Sequence, residues 1–92
     1  MDSQEAIAVL RENLNEYRRL TYSDLQAKVG EDRHFQIVAP SGTEYQVEVQ
    51  VFWESDPGGS LMVVGSVDDG GLRAFMPLCE TLVVEPTANR HE

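Results

Sequence analysis

Residues 34–78 read HFQIVAPSGTEYQVEVQVFWESDPGGSLMVVGSVDDGGLRAFMPL. Apolar residues fall at alternate positions through most of this stretch, the period of a strand with one buried face. Three turn signals divide it. A three-residue loop at Pro40-Ser41-Gly42, with Gly42 left-handed, sets Ala39 opposite Thr43. Ile37 then faces Tyr45, and Phe35 faces Val47. A four-residue loop would set Phe35 against Glu48 and mix apolar with charged residues on one face, so the shorter loop is the consistent one. The turn from Ser55 to Gly59 sets Trp53 opposite Leu61, Val51 opposite Val63 and Val47 opposite Val67. Asp69-Gly70 is the pairing expected of a two-residue type I′ turn. It sets Val67 opposite Leu72, Gly65 opposite Ala74, Val63 opposite Met76 and Leu61 opposite Leu78. All three turns place the apolar residues on a common face, and this agreement across levels argues for a β-meander.

Upstream of the meander, Ile7, Leu10, Leu14 and Tyr17 recur at helical spacing, so residues 3–19 are predicted to be an amphipathic helix. Asp2 followed by Glu5 resembles a capping arrangement, and Arg18 and Arg19 complement the dipole at the other end. Thr21 reads as the N-cap of a second helix over residues 22–29, with Gly30 as its stop and Leu25 and Val29 as its apolar edge. Residues 31–33 then read as a linker. Two helices followed by a meander define an α+β fold with both helices packed on one sheet face. The expected strands are residues 34–39, 43–54, 60–68 and 71–78, with 82–85 a candidate fifth. Residues 1–86 form the expected single domain, and 87–92 a flexible tail. Trp53 is expected in the core between the sheet and the first helix. Gly65 leaves a shallow spot on the helix-facing side, which a helix side chain is expected to fill.

A chain of 92 residues buries about 60–65% of its unfolded surface, enough for one modest core. The net charge is −9, with −2 in residues 1–33 and −7 in residues 34–92. So acidic a sheet half repels phosphate backbones and anionic lipids, so neither nucleic acid nor membrane is an expected partner. The second helix, with one base and one acid over residues 23–28, is a poor recognition helix. No apolar run reaches the length of a membrane span. The N-terminal residues are polar and acidic, unlike a signal peptide, and Cys79 is the sole cysteine. A reducing cytoplasm is the expected location.

The registers also define the sheet face away from the helices. Phe52 falls opposite Met62, Val64 opposite Phe75, and Pro77 beside Met62, an apolar cluster of a kind that soluble monomers seldom leave bare. The C-terminal segment or a helix end could cover it; otherwise it is a surface for self-association or for a partner, or less readily a small-molecule site. Glu44, Glu48, Glu54 and Asp68 would supply an acidic border. His34 falls opposite Glu48, most simply a surface ion pair. Cys79 and His34 have nothing to bring them together, and a lone cysteine beside Leu78 reads as a small buried hydrophobe. The Asp68-Asp69-Gly70-Gly71 and Asp56-Pro57-Gly58-Gly59 clusters read as turns and lack the spacing of calcium or phosphate loops. No site offers three plausible metal ligands, and no cofactor is implied. The sequence therefore predicts a non-enzymatic, acidic protein-interaction module. It either self-associates or docks on a basic protein through Phe52, Met62, Val64, Phe75, Pro77, Glu48 and Glu44. The alternative is a small-ligand domain using the niche at Gly65.

Overall fold

The computed structural model describes residues 2–71 and 77–86. Helix α1 (Ser3–Arg18) and a short helix α2 (Tyr22–Gln26) precede four strands, β1 (Asp32–Val38), β2 (Glu44–Trp53), β3 (Leu61–Asp68) and β4 (Leu78–Val84). The strands form one antiparallel sheet in the order β1-β2-β3-β4. The fold is α+β. No described helix is long and apolar enough to cross a membrane.

Asp2 caps α1 by accepting from the Glu5 amide at 3.1 Å. The buried stripe of α1 is Ala6, Val9, Leu10, Leu14 and Tyr17, whereas Ile7, expected in it, lies at its half-buried edge. Thr21 and Asp24 form a complete capping box at the start of α2. The second helix is shorter than expected, a single short piece over Tyr22–Gln26 whose Tyr22 and Leu25 are buried in the core. Residues 27–30 leave the helix in successive turns, and Gly30, at φ +96°, donates its amide to the Val51 carbonyl at 2.9 Å. Val51 in turn donates to Glu31 at 3.3 Å. These bonds dock the segment onto β2, so β1 starts at Asp32 rather than at His34.

The first two hairpins have the predicted registers. Phe35 pairs with Val47, Ile37 with Tyr45, Trp53 with Leu61 and Val51 with Val63. Ala39 donates to Thr43 at 2.9 Å around the loop in which Gly42 is left-handed, at φ +91°. The third pairing differs. Leu61 pairs with Val84, Val63 with Leu82, Gly65 with Glu80 and Val67 with Leu78. The strand that pairs with β3 is therefore Leu78–Val84, and the partners predicted for β3 within residues 71–78 are replaced. The expected fifth strand, 82–85, is largely the end of β4. Residues 72–76 and the tail predicted over 87–92 lie outside the described residues. Asp69-Gly70 is no two-residue turn. There the Asp68 and Asp69 carboxylates accept from the amides of Gly70 and Gly71, the local bonding to which aspartate is prone.

The offset between the predicted and observed pairing is an even number of residues, so strand parity survives it. Leu78, Leu82 and Val84 pack against the core. Glu80, on the same side, takes a two-pronged ion pair from Arg11 of α1 at 3.2 and 3.3 Å. Arg11 holds the Glu80 carboxyl below its ordinary pKa.

Gly65 lies beneath α1. A Cβ there would stand 2.8 Å from Leu10 Cδ1 and 3.1 Å from Leu14 Cδ2, so the helix side chains fill the shallow spot, as expected. Trp53 departs from expectation. It is half-buried, and its ring neighbour is Tyr22 of α2, 6.4 Å away and tilted by 50°. The Tyr22 hydroxyl donates to the Gly59 carbonyl at 2.7 Å, which ties α2 to the β2–β3 turn at that end of the sheet.

Tyr45 is fully buried and donates its hydroxyl to Glu5 at 2.8 Å. Burial, and then the adjoining Glu5 carboxylate, push its pKa from 10.0 up to about 12. An unfolded chain releases this proton earlier than the folded one, so stability is expected to fall as pH rises from 10 toward 12. Alkaline titration followed by tyrosinate absorbance should show a late phase that Tyr45→Phe removes. Absence of that late phase from the wild-type titration would contradict the buried placement of Tyr45.

Candidate functional site: the sheet face away from the helices

The outward residues of the strands form cross-strand rows. At one end Phe52 pairs with Met62, and Met62 with Val83. Phe52 is 39% exposed and Val83 53% exposed, with half-buried Met62 between them. The next row contains Asp32, Gln50, half-buried Val64 and Thr81. Then come His34, Glu48, Ser66 and Cys79 in a third row, and Gln36, Gln46 and Asp68 in a fourth. Val38, 65% exposed, pairs with Glu44 at the far end.

Phe52, Met62 and Val64 are thus neighbours, as the sequence predicted. The partner assigned to Val64 is corrected: it is Thr81, and Phe75 lies outside the described residues. Pro77 also leaves the cluster. It precedes Leu78, which pairs with Val67, and so belongs at the polar end of β3. Val83 takes a place in the apolar row that the sequence reading did not assign to it. Its alternation with Leu82 and Val84 was the available signal, but the register needed to use it was not. Glu44 lies eight residues from Phe52 along β2, about 26 Å at the rise of a strand, so it does not border the apolar row. Glu48 is closer, about 13 Å away. Exposed Glu54 and Glu85 follow β2 and β4 at the apolar end.

The second feature of this face is a three-residue cluster. His34 faces Glu48 across the β1–β2 ladder, as predicted, and Asp32 stands two residues before His34 on the same side of β1. His34 Nε2 lies 3.1 Å from Asp32 Oδ1 and 3.4 Å from Glu48 Oε2. One donor atom from each of the three lies within 4.8 Å of those of the other two. The Asp32 carboxyl, through a hydrogen bond to Glu48 and then through its charge, raises the pKa of Glu48 above the ordinary value, and desolvation adds to it; His34 opposes the shift. A hollow of about 90 Å³ adjoins the cluster, with His34, Glu48, Gln46, Ser66 and Asp68 among its lining. The expectation that no three metal donors converge is therefore corrected, because Asp32 belongs to β1 and not to a linker. Cys79 is exposed on this outward face rather than buried as expected, because the observed β3–β4 register pairs it with Ser66; it shares a row with His34 but stands on β4, three strand spacings or about 14 Å away. The two form no nucleophile–base pair.

No family model matches the chain, and no curated protein or solved structure was found to be similar to it.

Proposed function

We propose that this chain is a non-enzymatic protein-interaction module that docks a basic protein partner through the row Phe52–Met62–Val83, with Val64 beside it. The observation that carries this reading is the row itself: apolar side chains on three adjacent strands, on the face opposite α1, with its two ends exposed. A contact centre of this kind is apolar and its rim polar. The net charge of −9, with exposed Glu54 and Glu85 at that end, favours a partner of opposite charge and opposes pairing of two copies. The distance between Cys79 and His34 supports a non-catalytic role. The ligand niche at Gly65 has little in its favour, because Leu10 and Leu14 occupy the space. The free, exposed Cys79 fits a reducing cytoplasmic setting.

The test compares Phe52→Asp and Val83→Asp with Val38→Asp, which changes an exposed valine at the far end of the same sheet. A basic protein retained by the wild type and by Val38→Asp, lost from the other two variants and released by raised salt, is the expected result. Dimerisation of the wild type in sedimentation equilibrium, abolished by Phe52→Asp, would keep the surface but replace its occupant with a second copy. Retention unaffected by Phe52→Asp and Val83→Asp would remove the reading.

A further inference from the structure

We propose that Asp32, His34 and Glu48 form a binding site for a divalent metal ion of the zinc class. The proposal is independent of the interaction surface above. The residue types are a matched set: one imidazole nitrogen and two carboxylates, donors that zinc accepts together. Two of the three donor spacings are matched as well, and the third is within 4.8 Å. Zinc bonds these donors at about 2.0–2.2 Å, so adjacent donors around a tetrahedral ion stand roughly 3.4 Å apart. The His34 nitrogen is 3.1 Å from Asp32 Oδ1 and 3.4 Å from Glu48 Oε2.

The backbone holds this arrangement without help from the metal. Asp32 and His34 are two residues apart on one strand, so they project from the same side of the sheet. Glu48 is the direct cross-strand partner of His34. Gly30 and Val51 extend the hydrogen bonding past the start of β1, which keeps Asp32 in line with the ladder. Binding therefore needs only side-chain rotation, and donors carried on paired strands are held more firmly than donors on loops.

The charge balance points the same way. Two carboxylates converge on one imidazole in a chain of net charge −9. A divalent ion offsets that excess more fully than a protonated histidine can. With three protein donors, one position of a tetrahedral ion stays open. The hollow beside His34 and Glu48, lined by Gln46, Ser66 and Asp68, provides polar surroundings for a water molecule at that position. It is also open to a donor from another molecule.

The experiment is calorimetric titration of the full chain with Zn²⁺, paired with imidazole ¹H–¹⁵N spectra. It is repeated on Cys79→Ser and His91→Ala, which remove the other soft donors. Saturable binding at one ion per chain is expected in the wild type and in both of these controls, with perturbation of the His34 ring resonances. His34→Ala, Asp32→Asn and Glu48→Gln should each weaken binding by at least about tenfold, since even outer supporting groups at metal sites contribute that much. None of the three side chains belongs to the buried core, His34 and Asp32 being exposed and Glu48 half-buried, so the variants should retain the wild-type circular dichroism. Co²⁺ in place of Zn²⁺ should give visible absorption bands that disappear in His34→Ala. Absence of saturable binding up to millimolar Zn²⁺ would overturn the proposal. So would binding that survives His34→Ala, or binding lost with Cys79→Ser or His91→Ala.

Discussion

Leu14→Ala is expected to destabilise the protein by about 3–5 kcal/mol, among the largest effects of any single truncation in this fold. Leu14 is fully buried and, with Leu10, packs directly over Gly65 on β3. Its removal opens a cavity where the helix meets the centre of the sheet, so the lost transfer energy is joined by a cavity cost. A domain of this size is expected to have a total stability of about 5–10 kcal/mol, so the variant should be near unfolding at room temperature. Urea denaturation should show a lowered midpoint at an unchanged slope. Gly65→Ala probes the same contact from the sheet side. Its new methyl would meet Leu10 at 2.8 Å, an overpacking that costs about 1–3 kcal/mol. Combined with Leu10→Ala, the added methyl enters the vacated space, and the double variant should be more stable than the sum of the two losses predicts, by about 0.5–3 kcal/mol. Strict additivity would mean that α1 does not sit over Gly65.

Tyr45→Ala is expected to cost about 3–5 kcal/mol, in the range of large aromatic truncations in cores. The ring is fully buried on β2, and its hydroxyl reaches Glu5 in the first turn of α1. Ser41, in the first hairpin loop, donates to the same carboxylate oxygen at 2.8 Å. Glu5 thus ties the helix start to the hairpin, and Tyr45 supplies both packing and one of the two bonds. Tyr45→Phe separates these roles. It keeps the ring and removes only the bond, so it should cost about 1.5 kcal/mol, the low end for a hydrogen bond to a charged group, since Glu5 keeps Ser41. Equal losses in the two variants would mean that the bond, and not the ring, dominates at this position.

The parts of this fold that follow from the sequence are those governed by nearby residues. Gly42 in its left-handed turn, with the alternation on either side, is sufficient for the β1–β2 register, and the Ser55–Gly59 turn does the same for β2 and β3. The caps at Asp2 and Thr21 are likewise local. In the candidate site, the pairing of His34 with Glu48 and of Phe52 with Met62 follows from those two registers.

The third pairing could not be read in this way. Leu72, Ala74 and Met76 on one side, and Leu78, Leu82 and Val84 on the other, offer β3 partners of the same parity, so alternation does not choose between them. The Asp69-Gly70 signal favours the nearer segment. The choice of the farther one rests on contacts distant in sequence, including the Arg11–Glu80 ion pair and the packing of Leu78, Leu82 and Val84 on the helix-covered core. That choice puts Val83 beside Met62 and moves Pro77 away. The third member of the carboxylate–histidine cluster has a similar origin. Asp32 follows a helix and a glycine, and its local sequence reads as a linker. It becomes the first residue of β1 because the Gly30 amide bonds to the Val51 carbonyl, across a ladder that exists only once the sheet has formed. The sequence alone determined the sheet's faces and its first two registers, because turn geometry and side-chain alternation act over a few residues. Only tertiary packing decided which segment completes the sheet and which carboxylate joins His34 and Glu48, because both depend on bonds between residues far apart in the chain.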